Sequence, residues 1–488
     1  MPPSILQFSR ITDGNKVLRL RSNHLIVQFA RFQPRSDQAR GILDTILGRG
    51  DYDYDAEPVG TWTYLRTQVV GTDLQTRAKH LRDHAEVQFS ELDVPLVPTA
   101  VPDDPTTHSS TPESGRQWAL EKLNMYRAWD LQTGTDDVLV GLLDAGLQLD
   151  TEVSPGLDPY EPLKAHLHHE DLDGDRFLAG PNFIDGVSWP FDDFIVYGYL
   201  HGHYMSGVIA GTAGNGVGLA GMNWGSNVCV PKVNYTSESK DRAPEEKPYL
   251  RSTAALVYLG IRDVLDYAAD PSNLSPAGLP KPVVFNLSLQ IEDEVFPEFV
   301  EYSAGTFEAI FSAVHGAEAV ICLSAGNAHG AVREPGKWAL ASAYASNVLV
   351  VGAMDENDKY VPLTSLGSGE MVFAPGHQVL TTDKNDASYV TIDNSTSIAN
   401  AHATAAVSLV WSEDPGLKGS DAVALIKETC REPDAGAKAS YDAADPVGQW
   451  GRGIIQPFEA LKRLKPSVCL VLDKSGSMGE SAGSPGLT

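Results

Sequence analysis

Little in this 488-residue chain could tie it together covalently or carry it through a bilayer. Its four cysteines, Cys229, Cys322, Cys430 and Cys469, are spread too widely for a disulfide framework or a zinc-ligand cluster. No run approaches the roughly 18 uncharged apolar residues that suggest a membrane-spanning helix. The opening MPPSILQFSRITDGNK lacks the basic-then-apolar pattern of a secretory leader. Basic residues are also short, 37 Lys and Arg against 64 Asp and Glu, for a net charge of −27. So acidic a surface argues against nucleic acid as a partner, because phosphate contacts need clustered Lys and Arg. These shortages predict no membrane association, no nucleic-acid partner, buried free thiols and a cytoplasmic location.

What is present describes a globular protein. Hydrophobic residues make up 42% and charged residues 21%, and the length allows more than one core. Residues 1–98 read as a small α+β domain: HLIVQFA, TWTYLRTQVV and AEVQFSELDVPLV as strands, SDQARGILDTIL and DLQTRAKHLRDH as helices, with Ser36 as a cap. Residues 99–115 are a Pro/Thr/Ser-rich linker. From 116 to 465 short apolar runs alternate with helical segments. DVLVGLLD, NVCVPKV, KPVVFNLSL, EAVICLSAG and NVLVVGAM suit strands buried on both faces. Such alternation predicts an α/β fold with a mostly parallel central sheet between helical layers. Reactive groups in these sheets lie at the carboxyl ends of strands. Residues 466–488 begin a further apolar strand, which ends in the hydroxyl-rich turn DKSGS.

Three strand or helix ends stand out. Asp144 closes VLVGLLD, His201 and Gly202 open a run of small and apolar residues, and Ser397 opens a helix in STSIANAHATAA. Taken singly, Ser397 reads as a helix cap and Asp144 as a turn cap. Taken together they offer a hydroxyl, an imidazole to take its proton and a carboxylate to orient that imidazole. The chain order Asp, His, Ser is the one known from subtilisin.

These residues carry a resemblance to the subtilisin-like serine proteases, the subtilases. DAG at 144–146, HGHY at 201–204, STSIANA at 395–401 and SAGN at 324–327 match the family's four motifs in order. Flanking stretches agree, among them QWALEKLNMYRAWDLQTG, HEDL, GNGVGLAGM and GRGIIQPFEAL, so the likeness spans about residues 104–464. It implies a subtilisin-like fold and peptide-bond hydrolysis through an acyl-enzyme. Asp144, His201 and Ser397 would then be catalytic, and Asn327 an oxyanion donor. Ser288, Leu289, Gln290, Ser324, Ala325 and Gly326 would bind a protein or peptide substrate. It also implies a structural calcium shared by Asp104, Asp171 and Asn215, oxygen donors of the kind that ion takes. Residues 1–98 resemble the family's propeptide, a ferredoxin-like intramolecular inhibitor.

This sequence departs from the family at Ala145, His203, Tyr204, Gln290, Ser395 and Ala401. None of these removes a reacting group, and Gln290 in place of glycine predicts a narrower cleft. LVLDKSGSMG resembles the truncated opening of a von Willebrand factor A domain. There Asp473, Ser475 and Ser477 would bind magnesium once the domain was complete. Two alternatives stay open beside the endopeptidase. One is a catalytically weak pseudoprotease scaffold, the other a metal-dependent recruitment protein acting through its C-terminal end.

Overall fold

Runs with no polar face become the middle of one parallel sheet. Its strands are β1 (Leu139–Leu143), β2 (Phe177–Asn182), β3 (Asn227–Lys232), β4 (Val283–Leu287), β5 (Val320–Ser324), β6 (Val348–Met354) and β7 (Val372–Pro375). They lie in the order β7-β6-β5-β4-β1-β3-β2, and every pairing is parallel. The computed structural model describes residues 8–13, 16–21, 24–31, 33–54, 62–67, 71–92, 102–107, 116–149, 159–164, 166–184, 190, 200–236, 250–275, 278–290, 297–332, 335–367, 369–384, 387–444 and 451–465. The strand expected near the C-terminus, with Cys469, Asp473, Ser475 and Ser477, falls outside the described residues.

Successive side chains of a strand point to opposite faces, and here each face has its own core. Val140, Leu142, Val320, Leu349 and Val351 belong to one. Leu139, Leu143, Ile321, Val348 and Val350 belong to the other. Four helices cover the sheet: α1 (His201–Ala210), α2 (Ala254–Ala269), α3 (Pro297–Gly316) and α4 (Thr396–Glu413). Side chains of α1 and α4 fill the first core, and those of α2 and α3 the second. The result is the three-layer α/β arrangement expected, with a sheet that is parallel throughout its described pairings.

In helix α4 every residue from Thr396 to Ser412 is buried, as expected of a helix without a polar face. Its small residues let it lie against β4, β5, β6 and β7 and against α1.

The chain divides into two compact units, Met1–Pro98 and Thr99–Thr488. In the first, strands and helices follow as β-α-β-β-α-β: His24–Phe29, Asp37–Ile46, Tyr52–Tyr54, Trp62–Thr67, Gly71–Arg82 and Val87–Leu92. The strands form an antiparallel sheet in which His24–Phe29 lies between Trp62–Thr67 and Val87–Leu92, with Tyr52–Tyr54 beyond Trp62–Thr67. Val27, Phe29, Leu43, Leu65 and Leu81 form its core. Ser36 accepts from the Ala39 N–H at 3.2 Å, the cap expected. A hairpin of Phe8–Asp13 and Lys16–Arg21 precedes it, which the sequence reading lacked.

Candidate active site

Asp144 stands one residue past β1, where a parallel strand delivers its carboxyl-end neighbours to a common edge. It is wholly buried. Its carboxylate accepts from His201 Nδ1 at 2.8 and 2.9 Å, and Oδ1 also accepts the Ala145 N–H at 2.8 Å. A backbone donor therefore supports the aspartate where Ala145 supplies no hydroxyl. Helix α1 begins at His201 and must come very close to achieve this contact. A side chain at Gly202 would place Cβ 2.3 Å from the Gly146 carbonyl and 3.2 Å from the Asp144 Cβ, so only glycine fits.

With its Nδ1 proton donated to Asp144, the neutral His201 ring keeps its basic lone pair on Nε2. Burial disfavours the imidazolium, but the Asp144 charge and hydrogen bond together outweigh it. The His201 pKa therefore lies above its ordinary value. His203 and His402 show burial without such a partner. Burial, then the neighbouring His169, hold His203 down to about 3, and burial holds His402 down to about 4. Both are neutral packing residues, as expected.

Ser397 occupies the second position of α4 and is 6% exposed. The helix is capped by Ser395, whose side chain accepts the Ile398 N–H. Ser397 is thus relieved of the capping role it carries on a reading of the sequence alone. The other first-turn donors are also assigned. The Ala399 N–H goes to the Ser395 carbonyl, and the Thr396 N–H goes to Asn327 Oδ1 at 2.9 Å. Among the described residues nothing accepts the Ser397 N–H. At a helix N-terminus that donor suits a developing negative charge. Asn327 follows β5 and is exposed. The Thr396 hydroxyl gives its oxygen a second bond at 2.8 Å, which leaves the Asn327 NH2 as the group to donate.

The segments after β4 and β5 run on to Ser288, Leu289 and Gln290, and to Ala325 and Gly326. The Gln290 Oε1 accepts the Asn327 N–H at 3.1 Å. Sequence reasoning missed Thr396 and Asn400. Asn400 lies one turn beyond Ser397, and its NH2 donates to the Cys322 carbonyl at 3.0 Å and the Leu287 carbonyl at 3.3 Å. It thereby fastens α4 to the ends of β4 and β5. The available signal was an amide within the alanine-rich run STSIANAHATAA, where a buried polar group needs a partner.

Asp104, Asp171 and Asn215 do come together. Asp104 accepts the Gly214 N–H at 2.9 Å and the Asn215 N–H at 3.3 Å. Asp171 accepts the Asn215 side-chain NH2 at 3.0 Å and the Leu219 N–H at 2.6 Å. The Asn215 side-chain oxygen accepts the Val217 N–H at 3.0 Å. Asn215 thus turns its NH2, not its oxygen, to Asp171. As placed, the three residues do not fit a calcium ion, which needs converging oxygens. Burial pushes the Asp171 carboxyl up to about 6. Among the described residues no group of three or more His, Cys, Asp or Glu side chains could hold a metal.

A model of the subtilase family matches residues 135–446, more than half the chain. The chain is 24% identical to thermitase of Thermoactinomyces vulgaris over 72% of its own length and 97% of that protein. It is also 24% identical to the halolysin-like extracellular serine protease Nep of Natrialba magadii, over 69% of this chain and 50% of that one. It matches a solved protease structure from Pseudoalteromonas arctica with a TM-score of 0.52 and 20% identity. That match covers 75% of this chain and all of the other. Relatives named extracellular proteases, from Natrialba magadii, Dichelobacter nodosus and Xanthomonas campestris, overturn the expected cytoplasmic location. The thiols carry no weight against this. Cys229 and Cys322 are free and buried, and burial pushes the Cys322 thiol up to about 12. A thiol so protected stays reduced in either compartment.

Proposed function

The chain belongs to the subtilase family and is a serine endopeptidase, and on that premise we propose that Asp144, His201 and Ser397 form its catalytic triad. Ser397 Oγ attacks the scissile carbonyl while His201 Nε2 takes its proton. Asp144 keeps the proton on Nδ1 and stabilises the imidazolium that forms. The carbonyl oxygen, now negative, receives the Ser397 N–H and the Asn327 NH2. His201 then returns the proton to the leaving amine, and an acyl group remains on Ser397. Water activated by the same imidazole releases it. The segments Ser288–Gln290 and Ser324–Gly326 line the substrate's path beside Asn327.

One observation carries this assignment. In the first turn of α4 each neighbouring donor is engaged, by Ser395 or by Asn327, and the Ser397 N–H is the one left to face a substrate. Labelling with a serine-reactive fluorophosphonate tests it. Wild type is expected to label and Ser397→Ala to remain blank with its fold intact. Equal labelling of both proteins rules Ser397 out as the nucleophile.

The first compact unit is proposed to be a ferredoxin-like propeptide that inhibits the protease unit. Its β-α-β-β-α-β order and its antiparallel sheet support this reading. Residues 1–98 supplied in trans are expected to slow hydrolysis by a protein starting near Pro102. No slowing at micromolar concentration counts against an inhibitory role. Asp104, Asp171 and Asn215 are given no part in the reaction, since their arrangement does not suit the calcium expected there.

A further inference from the structure

Gln290 reaches from one substrate-side segment to the other. Its Oε1 accepts the Asn327 N–H at 3.1 Å. A Cβ added to Gly326 would meet that same oxygen at 2.7 Å. The carboxamide is therefore packed on the bare backbone of Gly326 and bonded to the residue after it. The two segments extend adjacent parallel strands, β4 and β5, whose ends are in register at Leu287 and Leu323. Asn400 holds those ends at a fixed distance from the nucleophile's helix through the Leu287 and Cys322 carbonyls. The two segments thus leave strand ends that are fastened to α4, and the exposed Gln290 side chain bridges the gap between them through its bond to Asn327.

The position of the reacting carbon follows from the donors. It must sit within reach of Ser397 Oγ with its oxygen toward the Asn327 NH2. A substrate side chain on the acyl side that enters the gap beside Asn327 meets the Gln290 carboxamide first. Gly326 has no side chain and leaves room there, and Gln290 takes that room. Resting on the protease assignment above, we infer that Gln290 is a specificity-determining residue. It closes this gap and restricts the residue on the acyl side of the scissile bond to glycine, alanine or serine. Larger side chains must displace the carboxamide, which breaks its bond to Asn327 and loosens the oxyanion donor's own backbone. Size selection and transition-state positioning are coupled through one hydrogen bond.

The test compares two fluorogenic peptides that differ only in Ala or Phe on the acyl side, with each enzyme's active sites counted by fluorophosphonate titration. Pockets that discriminate by size separate substrates by about tenfold to a hundredfold in kcat/KM. Wild type is expected to prefer Ala by about tenfold or more, and Gln290→Gly to raise the Phe-to-Ala ratio by a similar factor. Gln290→Ala, which retains a Cβ, is expected to fall between them. The ratio is the readout, because losing the bond to Asn327 lowers turnover of both peptides. A wild-type enzyme that cleaves the Phe peptide as readily as the Ala peptide overturns the inference. So does a ratio unchanged in Gln290→Gly with full labelling. Absence of labelling at Ser397 overturns the protease assignment instead, and this inference falls with it.

Discussion

The side-chain oxygen of Asn327 accepts two hydrogen bonds from Thr396, from its N–H at 2.9 Å and its hydroxyl at 2.8 Å. The residue before Ser397 therefore fixes the Asn327 amide with its NH2 as the end left to donate. An amide free to turn would present oxygen to oxygen half the time and repel the charge it should stabilise. Thr396→Val keeps the backbone bond and loses the hydroxyl, so kcat is expected to fall about threefold to tenfold, the worth of one ordinary hydrogen bond. Asn327→Leu removes the donor itself and is expected to cost about 10²- to 10³-fold in kcat. The double variant should be no worse than Asn327→Leu alone, because Thr396 acts only through the amide. Steady-state kinetics showing fully additive losses would contradict that coupling.

Two serines at the start of α4 divide two roles, and stability measurements separate them. Ser395 caps the helix, so Ser395→Ala is expected to destabilise the protein by about 1 kcal/mol. Ser397 caps nothing, so Ser397→Ala is expected to change stability by less than about 0.5 kcal/mol while abolishing turnover. Urea unfolding midpoints decide between this division and a shared cap.

The loop joining Asp104, Asp171 and Asn215 is held by N–H donors to both carboxylates. An ion bound only by the native state would add stability in proportion to the logarithm of its concentration. None is expected here, so a chelator should leave the melting temperature unchanged to within about 1 °C. A fall that added calcium reverses would show that Asn215 turns its oxygen inward to a metal.

The central strands were legible because both faces of each are covered, which forces an apolar residue at nearly every position. The two edge strands were not. Phe177–Asn182 and Val372–Pro375 carry Gly180 and two prolines, Pro181 and Pro375, which read as turn residues. Asp144, His201 and Ser397 were legible because each follows or opens an element whose period is plain. Asp144 and His201 are brought into contact, and the helices carrying His201 and Ser397 pack together. What escaped was the tertiary accounting of hydrogen bonds. That Ser395 caps, Thr396 holds Asn327 and Asn400 ties two strand ends depends on which groups the fold places opposite them. Spacing along the chain marks Asn400 at most as a polar residue in an alanine-rich helix and does not name the partners of any of the three. The fold does bring Asp104, Asp171 and Asn215 together, but the sequence does not say which end of the Asn215 amide turns toward Asp171.

The pH dependence of turnover follows from the His201–Asp144 pair. Catalysis needs neutral His201, so kcat/KM is expected to rise with pH through its pKa. Burial alone would lower that pKa, but the Asp144 charge and hydrogen bond reverse the shift, and the midpoint should lie above the ordinary histidine value of 6.5. The stability contribution has the opposite sense. The charged pair favours the fold fully below the unfolded-state pKa, and this contribution is lost as pH rises through the raised value. Activity is thus gained over the same interval in which that contribution fades. Asp144→Asn removes the charge and leaves burial in command, so the acid limb should move to lower pH while kcat falls by about 10⁴-fold. A pH–rate profile measured on both enzymes tests the assignment. A limb that stays in place when Asp144 is neutralised would mean that another group controls it.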